Sequence, residues 1–163
     1  MVEPIISMGK KSEGEKSLKM PKGKGGVQQQ VSSAEIIQRS FSKEMPNQDI
    51  NRFMQTLNYM VQTKMVFLLQ IGNTVFMLKP LIEQPGTVEL HTFTTESPQD
   101  LVQRYRAVAN SLRQLGYKKV TSYATSPAFV KIAEQTGLPI NITQSQQVIG
   151  NRAVPAYKFE VDI

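Results

Sequence analysis

The sequence predicts one α/β domain of the α+β type, in which helices flank a mixed sheet, preceded by an extended basic arm. Three observations carry this prediction. Amphipathic helical stripes alternate with apolar, strand-like runs from residue 32 onward, a two-residue turn containing glycine joins two of these runs, and residues 1–31 show neither period. A length of 163 residues is enough for one ordinary domain and a tail. We therefore divide the chain into an arm, residues 1–31, and a domain, residues 32–163.

The arm is the most basic part of the chain. It carries half of the net charge of +6, because three glutamates oppose six lysines: Lys10, Lys11, Lys16, Lys19, Lys22 and Lys24. Such a segment favours phosphates or an acidic protein surface as its partner. No aromatic residues are interleaved with the lysines, so any nucleic-acid binding would be non-specific and strongly salt-dependent. A solvated tail is the alternative interpretation.

The composition excludes several classes of chemistry. The chain has no cysteine and a single histidine, His91, so disulfides, thiolate catalysis and sulfur or multi-histidine metal sites are ruled out. No apolar run approaches the roughly 20 residues that span a bilayer, and the first residues lack the pattern of a secretory signal. We expect no metal, no membrane contact and no secretion.

Two helices open the domain. Ser32 and Glu35 have the spacing of a capping box, in which the serine accepts a backbone N–H and the glutamate reaches back. Pro46 ends the first helix and Asn47 is expected to cap the second. The apolar stripes of the two helices are Ile36, Ile37 and Phe41, then Ile50, Phe53, Met54, Leu57, Met60 and Val61.

The remaining elements alternate between strands and helices. Residues 65–71 and 74–80 form a hairpin around Gly72-Asn73, and strands follow at 87–94, 118–124, 142–149 and 157–163. Ser97 and Pro98 begin a long helix that Gly116 ends, and a shorter helix runs from Ser126 to Gly137. The long helix has a predicted buried stripe, Leu101, Tyr105, Val108, Leu112 and Leu115, and a solvated or partner-facing outer side with Arg104, Arg106 and Arg113.

This order of elements is similar to that of the GNAT (acyl-CoA N-acyltransferase) fold. The run Gly116-Tyr117-Lys118-Lys119-Val120, followed by a strand and a helix that ends in Ile132-Ala133-Glu134-Gln135-Thr136-Gly137-Leu138, resembles that family's late motif. The resemblance covers residues 34–163 by element order and 116–138 by residue pattern. It implies a GNAT-like mixed sheet and, in active members, the use of acetyl-CoA.

Two features of the sequence depart from that family. Active members hold the cofactor's pyrophosphate in a glycine-rich loop before the long helix, where backbone N–H groups contact the phosphates. Here the loop reads Thr95-Glu96-Ser97-Pro98-Gln99-Asp100, with no glycine, a proline that lacks an N–H, and two acids. The family's general-acid tyrosine aligns with Ala133. The resemblance is therefore to a degenerate GNAT-like domain.

A catalytic set remains conceivable. Glu89 and His91 alternate on a predicted strand, so they point to the same side, and a carboxylate–imidazole pair can take a proton from an amine. Tyr123 would replace the missing acid, and Ser97 and Gln99 would contact the cofactor. The alternative is that Glu89 and His91 belong to a polar strand face and that Tyr123 belongs to the core.

The sequence thus supports two main functions. The first is a non-catalytic interaction protein without a cofactor, docked through its arm onto other protein subunits of a large assembly. Because the chain is similar to GNAT-like bacteriophage virion proteins, that assembly would be a virion made in the host cytoplasm. The second is a cytoplasmic, acetyl-CoA-dependent N-acetyltransferase with an altered cofactor loop. Nucleic-acid binding by the arm is a third possibility.

Overall fold

The computed structural model describes residues 5–6 and 31–163. The helices are α1 (Ser33–Glu44), α2 (Ile50–Gln62), α3 (Pro98–Gln114) and α4 (Ala128–Gln135). The strands are β1 (Ile5–Ile6), β2 (Phe67–Ile71), β3 (Thr74–Pro80), β4 (Thr87–Thr94), β5 (Lys119–Ala124), β6 (Ile140–Ile149) and β7 (Arg152–Asp162). From α1 onward this is the predicted order. The lysines of the arm lie outside the described residues.

The strands form one mixed sheet, as predicted. Its order is β1-β2-β3-β4-β5-β7-β6. The pairs β1–β2 and β4–β5 are parallel, whereas β5–β7 and β6–β7 are antiparallel. Strand β1 was not predicted: Ile5 lies opposite Leu68 and Ile6 opposite Leu69, within the segment assigned to the arm. Two residues are too short for either hydrophobic period to be recognised.

The chain divides into two compact units. The N-terminal unit contains the described residues up to Met77 together with Thr92–Thr95, and the C-terminal unit contains Leu78–His91 and Glu96–Ile163.

The core of the N-terminal unit joins α1 and α2 to strand residues. The Phe41 and Phe53 rings stack with centroids 4.1 Å apart, and Phe93 lies 5.9 Å from Phe53. Burial of apolar area is the main stabilising contribution here. The buried members of the cluster are Ile36, Ile37, Leu57, Val61, Val66, Leu68, Val75, Met77 and Phe93.

The helix starts differ in detail from the predicted caps. Ser32 Oγ accepts the Glu35 N–H at 3.2 Å as expected, but the Glu35 carboxylate pairs with Arg39. Asn47 does not cap α2. The cap is Asp49, whose carboxylate accepts the N–H groups of Asn51 and Arg52 at 3.0 and 3.2 Å. An ionised acceptor next to the positive end of the helix dipole accounts for this start.

Gln70 fixes the start of α1 against β2. Its Nε2 donates to the carbonyl oxygens of Val31 and Gly72, at 2.9 and 3.0 Å, and its Oε1 accepts from Ser33 Oγ. One amide therefore joins the segment before α1, the first residue of α1 and the β2–β3 turn. Gly72 has φ 62°, the left-handed conformation that the predicted turn requires.

The long helix of the C-terminal unit ends as predicted, but its buried face is shifted. Gly116 has φ 99°, and the Tyr117 N–H donates to the Leu112 carbonyl at 3.0 Å. Leu115 was expected to be buried and is 64% exposed, because it is the C-cap residue at which the helix ends. Val102 and Ala109 are buried on α3 instead. Leu101, Val102 and Ile132 form the α3–α4 contact, with Tyr105 and Phe129 packed beside them.

Two of the three arginines predicted on the outer side of α3 make contacts beyond that helix. Arg106 donates to the carbonyl oxygens of Thr136 and Gln135, at 2.8 and 3.1 Å, at the carboxyl end of α4. Arg104 binds the segment before α3, as described below. Arg113 alone of the three has its observed bond within α3, to Asn110 Oδ1 at 3.2 Å. The helix dipole of α4 favours the positive charge of Arg106 at its carboxyl end.

The closing hairpin is longer than predicted. β6 pairs with β7 from Ile140–Val161 to Ile149–Arg152 across a turn at Gly150, which has φ 66°. The start of β7, which contains Pro155, was not predicted. Proline is tolerated at this point because β7 pairs with β5 only from Tyr157 onward.

Candidate active site

One face of the C-terminal unit carries a row of polar side chains from three adjacent strands. Glu89 of β4 lies opposite Thr121 of β5, which lies opposite Glu160 of β7. Residues directly opposite each other in a sheet share a face. The same face includes the residues two positions away on each strand, His91, Tyr123 and Lys158, and Tyr123 and Lys158 are themselves opposite each other. We call this set of six residues the polar face.

The two faces of β4 differ sharply in burial, whereas on β5 Thr121 of the polar face is as buried as Val120 on the opposite face. Val88 and Leu90 are 0% and 2% exposed, which shows that the face opposite Glu89 is covered. On the polar face, the exposed fraction of the side chain is 24% for Glu89 and 31% for His91. The predicted orientation of Glu89 and His91 toward one side is confirmed.

Glu89 and His91 are hydrogen-bonded to each other, with His91 Nε2 2.9 Å from Glu89 Oε2. The bond to His91 lowers the pKa of Glu89, partial burial opposes this, and the charges of His91 and Lys79 lower it further. Glu89 is therefore an ionised acceptor at neutral pH, and Nε2 must carry the donated proton. In the neutral ring, Nδ1 is then the basic nitrogen.

The lowered pKa of Glu89 predicts a pH dependence of stability. Since the folded pKa lies below the ordinary value of 4.5, the stabilisation is present above that pH and is lost as pH falls through the folded pKa. Below pH 4.5, wild type should therefore lose more unfolding free energy than Glu89→Gln. Urea titrations at a series of pH values measure this difference, with Glu83→Gln, an exposed loop glutamate, as the control. Parallel pH curves for wild type and Glu89→Gln would contradict the assignment.

Tyr123 occupies the polar face beside a cation. Lys158 Nζ lies 6.0 Å from the centre of the Tyr123 ring and 3.6 Å from Glu160 Oε2. Tyr123 is half-buried, so it is neither fully enclosed nor fully exposed. Lys158 and Glu160 were not predicted as site residues, because their alternation with apolar residues does not indicate that β7 lies next to β5.

The parallel pairing of β4 and β5 stops beside this set. It runs from Thr87–Lys119 to Leu90–Ser122, whereas both strands continue beyond these residues. At the last pair, Ser122 Oγ donates to the Leu90 carbonyl at 2.8 Å. His91 and Tyr123 therefore flank the point at which the two strands cease to pair. An imidazole and a phenol are thus placed beside the point at which the pairing of the two strands ends.

The start of α3, where the cofactor loop would lie, is occupied by the chain's own polar groups. Ser97 Oγ is the cap and accepts the Asp100 N–H at 3.2 Å, and it lies 3.1 Å from Asp100 Oδ2. Arg104 binds Glu96 through two bonds, Nε at 2.9 Å and Nη2 at 2.7 Å, and this pairing raises the pKa of Arg104. Ser97 and Gln99, the predicted cofactor contacts, are exposed.

This arrangement changes the electrostatics that the sequence suggested. Two carboxylates were expected to repel a phosphate at the helix N-terminus. Arg104 forms a bidentate pair with Glu96, which is 11% exposed, and the charge of Asp100 also acts on this guanidinium. The obstacle to an anionic ligand is smaller than predicted. Ala133, at the position of the family's tyrosine, is buried in α4.

Other classes of site find no support in the described part of the chain. Residues 5–6 and 31–163 contain no cluster of three or more acidic, histidine or cysteine side chains that would bind a metal ion. Among the same residues, no helix has the length and hydrophobicity needed to span a membrane.

Comparison with solved structures identifies the class of fold. The chain has the GNAT acetyltransferase fold, matched over 79% of its length by a probable GNAT-family acetyltransferase from Chromobacterium violaceum, with a TM-score of 0.56, 14% identity and 77% of that chain covered. A ribosomal-protein-alanine N-acetyltransferase from Brucella melitensis matches 83% of this chain and 98% of its own, with a TM-score of 0.58 and 8% identity.

A third similar structure is the microcin self-immunity acetyltransferase MccE, solved with acetyl-CoA and AMP. It covers 80% of this chain and 87% of its own, at a TM-score of 0.57 and 9% identity. No protein-family model matches the sequence, and no curated protein matches it. At these identities the likeness shows the fold. The three structures are acetyltransferases, and none gives support to the expected link with bacteriophage virions.

Proposed function

We propose that the protein is an acyl-CoA-dependent N-acetyltransferase with an altered cofactor loop. The observation that carries this proposal is the hydrogen-bonded Glu89–His91 pair, which shares the polar face with Tyr123. The acetyltransferase fold of the similar structures supports it. A fold alone does not define an activity, so the argument rests on the chemistry of these three side chains.

In the proposed mechanism, His91 accepts one proton and Tyr123 donates another. Acetyl-CoA supplies an activated acetyl thioester. His91 Nδ1 accepts a proton from the attacking amine, and the Glu89 carboxylate stabilises the imidazolium that forms. Tyr123 would donate its phenolic proton to the CoA sulfur, which would leave as the amine takes its place on the acetyl group. Solvent then returns a proton to Tyr123 and removes one from His91.

The cofactor would be held less tightly than by a glycine-lined loop. Pro98 has no N–H, and the N–H of Asp100 is engaged by Ser97, so the start of α3 offers few donors to a pyrophosphate. Ser97 and Gln99 remain the polar side chains best placed to contact it.

Glu96→Gln should therefore increase the affinity for acetyl-CoA. The substitution removes a carboxylate and releases the Arg104 guanidinium from its charged partner, which adds positive potential at the helix start. A charge in this position is worth about 0.3–1 kcal/mol, so we expect a gain of about two- to fivefold. Calorimetric titration measures it, with Glu134→Gln on the exposed side of α4 as the control for lost negative charge. A weaker or unchanged affinity would show that phosphates do not approach this helix.

The activity itself is tested by release of free CoA thiol from acetyl-CoA in the presence of a panel of primary amines. The chain contains no cysteine, so a thiol reagent detects the released CoA without background from the protein. Amine-dependent thiol release that His91→Ala abolishes would support the proposal. Absence of turnover with every class of amine, together with no binding of acetyl-CoA, would refute it.

A second candidate function is a non-catalytic interaction domain, favoured by the carboxylates and arginine that fill the start of α3. In this alternative the basic arm docks the protein onto other subunits of an assembly, with a virion as the proposed case, or onto nucleic acid. Replacing the six arm lysines by glutamine would separate these partners. Loss of assembly incorporation indicates a protein partner, and loss of DNA retention alone indicates nucleic acid.

A further inference from the structure

Strand β6 forms a long, regular edge of the sheet. It is the last strand in the sheet order, and within the described residues it pairs with β7 alone. All 10 of its residues have a partner in one continuous register, without a bulge. The backbone groups that alternate along its outer side are therefore available to a further strand from outside the described structure.

This edge lacks the features that normally prevent a strand from pairing with another chain. Edge strands are usually short, or are protected by a charged side chain, a proline or a bulge. The sequence of β6, INITQSQQVI, contains neither a charged residue nor a proline. It also carries Val148, which is 69% exposed.

We propose that β6 pairs antiparallel with β6 of a second copy of this chain, which joins the two sheets across a twofold axis. This inference is independent of the acetyltransferase proposal. Each copy has a net charge of +6, but the paired strands would bring no charged side chains opposite each other. A C2 interface requires this kind of self-complementary surface.

The geometry of such a pair limits its register. A twofold axis perpendicular to the sheet keeps each side chain on its own face, so even-numbered residues must lie opposite even-numbered ones. The largest overlap of the two strands then places the axis midway between the two copies of Gln144 or midway between the two copies of Ser145. With Gln144 at the centre, Val148 lies opposite Ile140, and with Ser145 at the centre it lies opposite Ile142. In both registers, Val148 of each copy lies opposite an isoleucine of the other copy, so the interface contains two valine–isoleucine pairs.

Light scattering after gel filtration of the full chain tests the proposal. Wild type should have about twice the mass of one 18.3 kDa chain. The Val148→Lys variant should have the mass of a single chain, since the substitution replaces the valine of each valine–isoleucine pair by a cation. Ile82→Lys is the matched control, because Ile82 is 92% exposed in the loop before β4 and should leave the dimer intact.

Single cysteines provide a second test in this cysteine-free chain. Under mild oxidation, either Gln144→Cys or Ser145→Cys should form a disulfide-linked dimer, since the two copies of one of these residues lie opposite each other across the axis. Ile82→Cys should not form one. The proposal is refuted if wild type is a monomer at every concentration, as expected if another segment of the same chain covers β6. It is equally refuted by a dimer that persists in Val148→Lys while neither cysteine variant forms the cross-link.

Discussion

Glu89→Gln is expected to lower kcat/KM for acetyl transfer by about 10²–10⁴-fold, the usual contribution of general acid–base catalysis. The amide keeps the size of the side chain, but it removes the charge that holds the His91 proton on Nε2 and stabilises the imidazolium. Affinity for acetyl-CoA should change little, because Glu89 lies on the polar face and not at the start of α3. Steady-state kinetics combined with calorimetry separate the two effects.

Three further variants make this prediction specific. Glu83→Gln removes a glutamate from the exposed loop before β4 and should leave kcat/KM unchanged. His91→Ala and the Glu89→Gln/His91→Ala double variant should both be about as impaired as Glu89→Gln, because groups that act as a unit are strongly non-additive. Independent, additive effects of the two single substitutions would contradict the pairing as a catalytic unit.

Phe76→Ala is expected to reduce the unfolding free energy by about 3–5 kcal/mol. Phe76 is 0% exposed and is the largest of the fully buried side chains, on strand β3 of the N-terminal unit. Truncation removes its buried area and leaves a cavity that the surrounding strands fill only in part. The loss is a large fraction of the roughly 5–15 kcal/mol that stabilises a typical domain.

Urea denaturation followed by circular dichroism measures this loss. Tyr59→Ala is the control, because it also removes an aromatic ring from the N-terminal unit but from a position on α2 that is 64% exposed. Its effect should stay within about 0.5 kcal/mol of wild type. Similar losses for the two variants would mean that the strand is not buried as described.

Most of the fold was predictable because its signals are local. The stripe of α2, the glycine turn between β2 and β3, and the cap of α3 at Ser97 each follow from neighbouring residues. Two of the errors came at helix ends. Asp49 replaced Asn47 as the cap of α2 because its carboxylate lies directly before the helix, and Leu115 is exposed because the helix ends at that residue.

The candidate site was predictable only in part. Alternation along one strand was sufficient to place Glu89 and His91 together, and Tyr123 was chosen for its chemistry. Lys158 and Glu160 joined the polar face only through the antiparallel pairing of β7 with β5, which is a long-range contact between distant parts of the sequence. The pairing of Glu96 with Arg104 likewise depends on the three-dimensional fold, since the periodicity of α3 placed Arg104 on its outer side.

Calorimetric titration of the wild-type chain with acetyl-CoA tests the central claim most directly. An N-acetyltransferase with an altered loop should bind acetyl-CoA in a saturable, one-to-one manner, with an affinity that Glu96→Gln increases and Glu134→Gln leaves unchanged. A folded chain that gives no binding heat at any acetyl-CoA concentration would contradict the account and favour the non-catalytic alternative.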